Sequence, residues 1–385
     1  MNGCEKVPVR SLVVGRLRGG GRLTNTATLA GAALVAILLF AGCSGIGPST
    51  LTRDRFDYTG AVAESWKSQM LLNLVKLRYG DTPVFLDVGQ IVSGYTMQST
   101  ISALGTIFST SGPVPGVPNS SVTLGGQGQF TDRPTITYAP LVGERFARSL
   151  MTPIPPPALL SLIQAGYPIT LVFRLGVHVI NGIQNRYGGE LRARPADPEF
   201  YELLERLRRI QESGVIGLRV QRVEREEAVV MSFRQKVDPS VEAEVLAVRQ
   251  MLGLDPRARE FRVVYGSVAA NDKEVAILSR SILEILIDLS SYITVPEAHV
   301  TEHRVAPTAE PEVGPGGPVP PLIQIASGTE RPVVALVSVS YRDHWFWIDD
   351  RDMPSKRLFT FLMFLFTLVE TGGKEGMPIV TIPTN

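Results

Sequence analysis

The stretch Ile37–Ile46, I-L-L-F-A-G-C-S-G-I, sets the first limit on what this chain can fold into. It closes an apolar segment, Leu29 to Gly42, whose 14 residues span roughly 21 Å as a helix, short of the ~30 Å hydrocarbon core of a bilayer. Ahead of it lie Lys6, Arg10, Arg16, Arg18 and Arg22, opposed only by Glu5. A basic flank, a short apolar stretch and small residues at its end make a secretory leader, which takes no part in the fold. Residues 1–42 are therefore expected to be a signal peptide, with 43–55, small and polar, as a tether.

The residues Phe40-Ala41-Gly42-Cys43 resemble the lipobox of bacterial lipoproteins, with phenylalanine where leucine is usual. The resemblance implies that the Cys43 thiol receives a diacylglycerol, that the peptide is cut just before it, and that a fatty acid such as palmitate is added. The chain has two cysteines, Cys4 and Cys43, so the processed form keeps only its first residue as a thiol and has no partner for an internal disulfide. Ser44 follows where an aspartate signals inner-membrane retention in enteric bacteria, which favours the outer membrane. More than one acyl chain makes such anchoring stable. The expected address is the cell envelope, at the periplasmic face of the outer membrane.

Cleavage before Cys43 leaves 33 basic residues against 36 acidic ones. Nothing in that balance points to nucleic acid as a partner.

Periodicity predicts an α+β fold in two mixed regions, 56–190 and 196–385. In the first, apolar residues at spacings of three and four give a helix over Thr59–Arg78, stopped by Gly80-Asp81-Thr82-Pro83. V-F-L-D-V-G-Q-I-V, S-V-T-L-G-G-Q-G-Q-F and T-I-T-Y read as strands, followed by short helices over G-E-R-F-A-R-S-L-M and Ala158–Ala165. Ile169–Ile183 is ambiguous between helix and strand, with helix favoured. The second region opens with a charged helix from Pro198 to Ser213. Two ββαβ-like units follow. One has a hairpin over Val215–Phe233, a helix over Pro239–Leu252 and a strand at Phe261–Tyr265. The other has a hairpin over Val333–Ile348, a helix over Ser355–Glu370 and a strand at Ile379–Ile382. A helix over Asp272–Ile293 is expected between them, and the segment 304–321, rich in proline and glycine, should be a flexible insert. Leu358–Val369 is apolar nearly all round but too short to cross a membrane, so core packing is expected.

Candidate chemistry is sparse. His299-Val300-Thr301-Glu302-His303 has the letters of the H-x-x-E-H zinc signature, in which two histidines one turn apart hold the metal and the glutamate acts as base. Val295-Pro296 before it and Pro307 after it leave barely two turns of helix. Asp349, Asp350 and Asp352 could offer oxygen ligands to Mg²⁺ or Ca²⁺. The favoured reading gives Asp352 the cap of the following helix instead. His178, in an apolar stretch, reads as a satisfied core residue. No cofactor is implied.

The stretches R-F-D-Y, L-L-N-L-V-K-L-R-Y-G-D-T-P-V-F-L, R-P-T-I-T-Y-A-P-L, I-N-G-I-Q-N and W-F-W-I-D-D-R-D-M-P-S-K-R-L-F resemble, over most of the processed chain, a group of Gram-negative lipoproteins to which no activity is assigned. The resemblance supports the address and adds no mechanism. The expected function is a non-enzymatic binding or envelope-assembly module, held to the membrane by its lipid and meeting a protein partner in the envelope. The alternative is a periplasmic metal-dependent hydrolase using the aspartate cluster or the His299/Glu302/His303 motif.

Overall fold

Helix α1 (Pro48–Arg78) buries Met70, Leu71, Leu74 and Val75 along one stripe, as its spacing predicts, but begins earlier than Thr59. It ends in a reversal that only glycine adopts freely: Gly80 has φ 69°, its N–H bonds Leu77 O at 3.1 Å, and Asp81 N–H reaches back to Lys76 O at 2.8 Å. The chain then runs antiparallel to the helix, held by two side-chain amides one turn apart. Asn73 both donates to Val84 O (2.8 Å) and accepts from Val84 N–H (2.9 Å). Gln69 does the same to Leu86, at 3.0 and 2.7 Å. Each amide stands in for a neighbouring strand.

The computed structural model describes residues 48–92, 95–107, 120–132, 135–141, 143–189, 193–214, 216–223, 226–233, 238–370 and 380–383. The fold is α+β, with helices beside several small sheets of mixed strand direction. Contacts divide it into two compact units.

The first unit contains Val88–Ala139 and the last strand. Strand β1 (Phe85–Val92) leads into β2 (Tyr95–Ile107), and β3 (Ser120–Asp132) leads back into β4 (Thr135–Leu141). β2 and β3 pair antiparallel along their whole length, Tyr95 opposite Asp132 and Ile107 opposite Ser120, in a sheet of two. A separate three-stranded sheet has the order β1-β4-β16, where β16 is Val380–Pro383. The strand expected at the chain's end thus pairs with β4, from Thr135 opposite Pro383 to Tyr138 opposite Val380.

The second unit takes Ala61–Asp87 and Pro140–Met377. Its helices are α2 (Glu144–Met151), α3 (Pro156–Gln164), α4 (Ile169–Gly176), α5 (Pro198–Glu212), α6 (Pro239–Met251), α7 (Ile282–Ser290), α8 (Glu297–Thr301) and α9 (Met353–Glu370). Six strands form one sheet: β5 (Val177–Ile180), β6 (Ile183–Gln184), β7 (Ile216–Val223), β8 (Glu226–Phe233), β9 (Glu260–Tyr265) and β10 (Glu274–Ser279), in the order β6-β5-β10-β9-β8-β7. β9 and β10 are parallel and the other pairs antiparallel. Because β5 pairs with β10, residues on both sides of 190–196 share this sheet.

A three-stranded sheet, β13-β15-β14, is built from β13 (Ala326–Gly328), β14 (Val337–Tyr341) and β15 (His344–Ile348). Phe346 and Ile348 are fully buried on one face of β15, while Trp345 and Trp347 are half-buried on the other. The two ββαβ strings are therefore present as element orders but differ in pairing. β9 joins its own hairpin, whereas β16 joins β4.

Two expectations are corrected here. Asp272–Ile293 is not one helix: β10 and α7 meet at Arg280-Ser281. Ser281 starts the helix with a capping box, its hydroxyl accepting from Glu284 N–H while the Glu284 carboxylate accepts from Ser281 N–H. Ile169–Ile183 likewise divides, as α4 followed directly by β5 and a turn at Asn181-Gly182. The insert 304–321 carries its own two-residue ladder, β11 (Val313–Gly314) with β12 (Gly317–Pro318). It is also tied down: Arg78 donates to Ala306 O and Pro307 O at 2.5 and 2.8 Å, and Glu312 accepts from the Tyr201 hydroxyl. Charged and carbonyl groups thus add to the one apolar anchor of the insert, the buried Val305.

Helix α9 buries Leu358, Phe359, Phe361, Leu362, Leu365 and Phe366, and leaves Phe364 45% exposed. Phe366 stacks on Phe85 at 4.6 Å between ring centres, and Phe361 lies against Tyr167 at the same distance. Among the described residues no helix is long and apolar enough to cross a membrane.

Candidate functional site

The three aspartates singled out by sequence are occupied with structural work. Asp352 caps α9: its carboxylate accepts from Ser355 N–H (3.2 Å) and from the Ser355 hydroxyl (2.6 Å). Asp350 pairs with Lys356 at 2.6 Å. Asp349 accepts from Arg351 N–H at 2.8 Å, and this bond, followed by the nearby guanidinium, pulls its pKa below the ordinary carboxylate value. Each aspartate thus serves the turn between β15 and α9.

His299, Glu302 and His303 are not brought onto one helical face. α8 stops at Thr301, and His303 lies beyond it in the left-handed region at φ 56°. His299 is buried, not an exposed loop residue, and its Nδ1 shares a 2.7 Å hydrogen bond with the Tyr79 hydroxyl. The His344 ring stands edge-on to it at 4.7 Å. Burial first, then Arg304 and His344, lower the pKa of His299. Among the described residues no group of three or more His, Cys, Asp or Glu is placed to hold a metal ion. Cys43, the proposed site of lipidation, lies outside the described residues.

A different site assembles where the C-terminus of α4 turns into β5. Four carbonyls are left over there, and buried donors serve them. Asn185 donates to Val177 O (2.7 Å) and Arg174 O (3.0 Å). Arg280, fully buried, reaches Arg174 O (3.3 Å) and Leu175 O (3.4 Å), and its N–H bonds Gly176 O (2.8 Å). The Arg280 charge is met by Asp288 of α7 at 3.2 Å, which also has Arg186 Nε at 3.7 Å and accepts from Gly188 N–H at 2.6 Å. Arg186 in turn lies 4.1 Å over the Tyr292 ring. A methyl at Gly188 would meet Asp288 Oδ1 at 2.5 Å, so this close approach requires glycine.

Asn185 of this corner also lines a cleft of about 320 Å³, near the lower end of the range for small-molecule sites. His178 of β5, Ser279 of β10, Arg194, Tyr265 and Glu284 line it. The β5–β10 register slips between Leu278 and Ser279, an irregularity that re-aims the side chain there. Two enclosed polar atoms of these lining residues, His178 Nδ1 and Ser279 Oγ, have no hydrogen-bond partner among the described residues. Such groups cost about 1–3 kcal/mol each if left unmet. Burial, reinforced by Arg280 and opposed by Glu284, lowers the pKa of His178, which keeps its ring neutral at pH 7. A neutral imidazole offers one donor and one acceptor, and the serine hydroxyl offers both.

His178 is thus half-buried on a cleft wall, not a satisfied core residue. Ser279 has a local signal, the short apolar run V-A-I-L before it and the capping pair Ser281 and Glu284 after it, which marks a strand ending at a helix start. Compared with protein-family models, curated proteins and solved structures, the chain has no significant match.

Proposed function

We propose that this chain is a lipid-anchored protein of the bacterial envelope, held by acylated Cys43 at the periplasmic face of the outer membrane. There it acts without catalysis, its second unit binding a small polar molecule in the His178–Ser279 cleft. The carrying observation is the cleft of about 320 Å³ lined by His178, Ser279, Arg194 and Glu284, where His178 Nδ1 and Ser279 Oγ are left unpartnered among the described residues. The address is supported by the F-A-G-C sequence and by a basic flank before an apolar run too short to span. A binding role is further supported by the aspartates at 349–352, which are committed to a helix cap, a turn and an ion pair. A protein partner in the envelope belongs to the same reading, and crosslinking in the native membrane is its test.

The decisive experiment is native mass spectrometry of the full chain extracted from the envelope. It should show acyl chains on Cys43 and a retained small molecule that the His178→Phe/Ser279→Ala variant loses without a fall in thermal stability. An intact leader with a free thiol at Cys43 overturns the address. Equal retention by parent and variant overturns the site.

A further inference from the structure

The β2–β3 hairpin is unlike the other described elements. Its strands are 13 residues each, twice the length of a typical strand. They pair only with one another, leaving both outer edges open among the described residues. A lone two-stranded ribbon is marginal in water, and open edges of this length invite further strands.

The register sorts its residues into two sets. Odd positions of β2 read Y-M-S-I-A-G-I, and the positions opposite them on β3 read S-V-L-G-G-F-D. Even positions of β2 read T-Q-T-S-L-T, and their opposites S-T-G-Q-Q-T. One set is thus apolar or glycine except at Ser99, Ser120 and Asp132. The other is hydroxyl and amide except at Leu104 and Gly125. No lysine, arginine or glutamate occurs in either strand, and the single charge, Asp132, stands at the base beside Tyr95. A ribbon made for water would carry charge on its polar set. This one carries only neutral hydrogen-bonding groups.

The dimensions fit a bilayer. Thirteen residues extend about 43 Å at ~3.3 Å each, which at a barrel tilt of ~45° projects to about 30 Å, the hydrocarbon thickness. A strand can cross that layer only if every backbone N–H and C=O is paired, which two strands cannot achieve and a closed barrel does. At the base the hairpin connects directly to β1 and β4, which belong to a three-stranded sheet.

We propose that the β2–β3 hairpins of several copies of this chain join edge to edge into a β-barrel that crosses a lipid bilayer. The register set containing Met97, Ile101, Val122 and Leu124 is assigned to the lipid face of the barrel, and the set of threonines and glutamines to the lumen face. With two strands from each chain, even the smallest barrels of about eight strands need about four copies, and a water-filled lumen needs more. The proposal rests on the lipid-anchor reading only for bringing the hairpin to a membrane.

The test places single cysteines at successive positions 97–104 of the full chain and labels each with an environment-sensitive fluorophore. The labelled proteins are added to vesicles of phosphatidylethanolamine and phosphatidylglycerol that carry spin-labelled acyl chains. Loss of fluorescence should alternate, marked for Ile101→Cys and Ala103→Cys and absent for Thr100→Cys and Ser102→Cys, which aqueous iodide should quench instead. Stepwise conductance should appear in planar bilayers and vanish with Leu124→Asp, whose circular dichroism in detergent should match the parent's. Quenching at no position overturns the proposal and shows an apolar set covered by protein. Equal quenching at all positions, or alternation without conductance, overturns it as well. The parent chain separates this result from the anchor: dye uptake without an added cysteine reveals a free Cys43 thiol, whatever the hairpin does.

Discussion

Neutralising Asp288 by Asp288→Asn should be among the most damaging conservative changes in the protein. Asp288 holds two guanidiniums in the interior, Arg280 at 3.2 Å and Arg186 at 3.7 Å, and the side chains of Arg280 and Asp288 are 0% and 2% exposed. At an effective dielectric near 20, each attraction is worth about 5 kcal/mol before desolvation. The amide preserves shape and can still accept from Gly188 N–H, so the change isolates charge. It leaves two buried cations without a counter-ion, and the expected loss is about 3–5 kcal/mol. Arg280→Met leaves a matched Arg186–Asp288 pair but strips the side-chain donor from Leu175 O and Arg186 O, at a cost of about 1–3 kcal/mol. Combined, the two changes should cost less than their sum by about 1–3 kcal/mol, because the second removes one of the cations stranded by the first. Urea unfolding followed by tryptophan fluorescence reads this directly, since Trp66, Trp345 and Trp347, the only tryptophans, all lie in the second unit. A loss below about 1 kcal/mol for Asp288→Asn, or strict additivity, would refute a dry, mutually dependent cluster, because a solvated pair contributes only that much.

Three smaller effects follow from the same structure. Burial lowers the pKa of both His299 and His178 below 6.5, so between each folded value and 6.5 the unfolded chain binds the extra protons; stability should be full above pH 6.5 and fall as pH drops below it. Urea midpoints measured from pH 8 to 5 should decline in the parent and decline less in His299→Gln; a flat parent profile counts against enclosed neutral rings. Asp343, exposed in the β14–β15 turn at φ 65°, should gain about 0.5–1 kcal/mol on change to glycine, which adopts such φ freely; a loss in thermal midpoint would mean that its side chain holds the turn. Removing the α9 cap with Asp352→Ala should cost about 1 kcal/mol, with unchanged content of any divalent ion measured by plasma mass spectrometry.

Much of the local structure could be read from pattern, and the failures share a cause. α5, the hairpin β7–β8, α6 and β9 lie close to their expected bounds because each shows its own period and its own stop signal, such as Pro198 and Pro239 at helix starts. Errors fall where two elements meet without a loop. β10 passes into α7 across Arg280-Ser281, and α4 into β5 with no residue between, so apolar runs of different period merge into one. The S-x-x-E pair at Ser281 and Glu284 was enough to divide the first. Nothing local divides the second, because the carbonyls freed there are met by Arg280 and Asn185 from elsewhere in the chain. The cleft was hidden for a related reason: His178 and Ser279 become neighbours only through the β5–β10 register. The zinc-like letters at His299–His303 mislead because their spacing has meaning only on a helix, and α8 ends too soon.

The pairing of β16 with β4 has a temporal side. Strand β4 leaves the ribosome long before its neighbour exists: roughly 240 residues separate Leu141 from Val380, which at about 5–20 residues per second is on the order of 10–50 s of synthesis. For that interval the T-I-T-Y edge faces solvent unmatched, and any chain that stops short of Val380 keeps it so permanently. The last few residues therefore act as a seal, and truncated products should be the ones that clump or are handed to proteases.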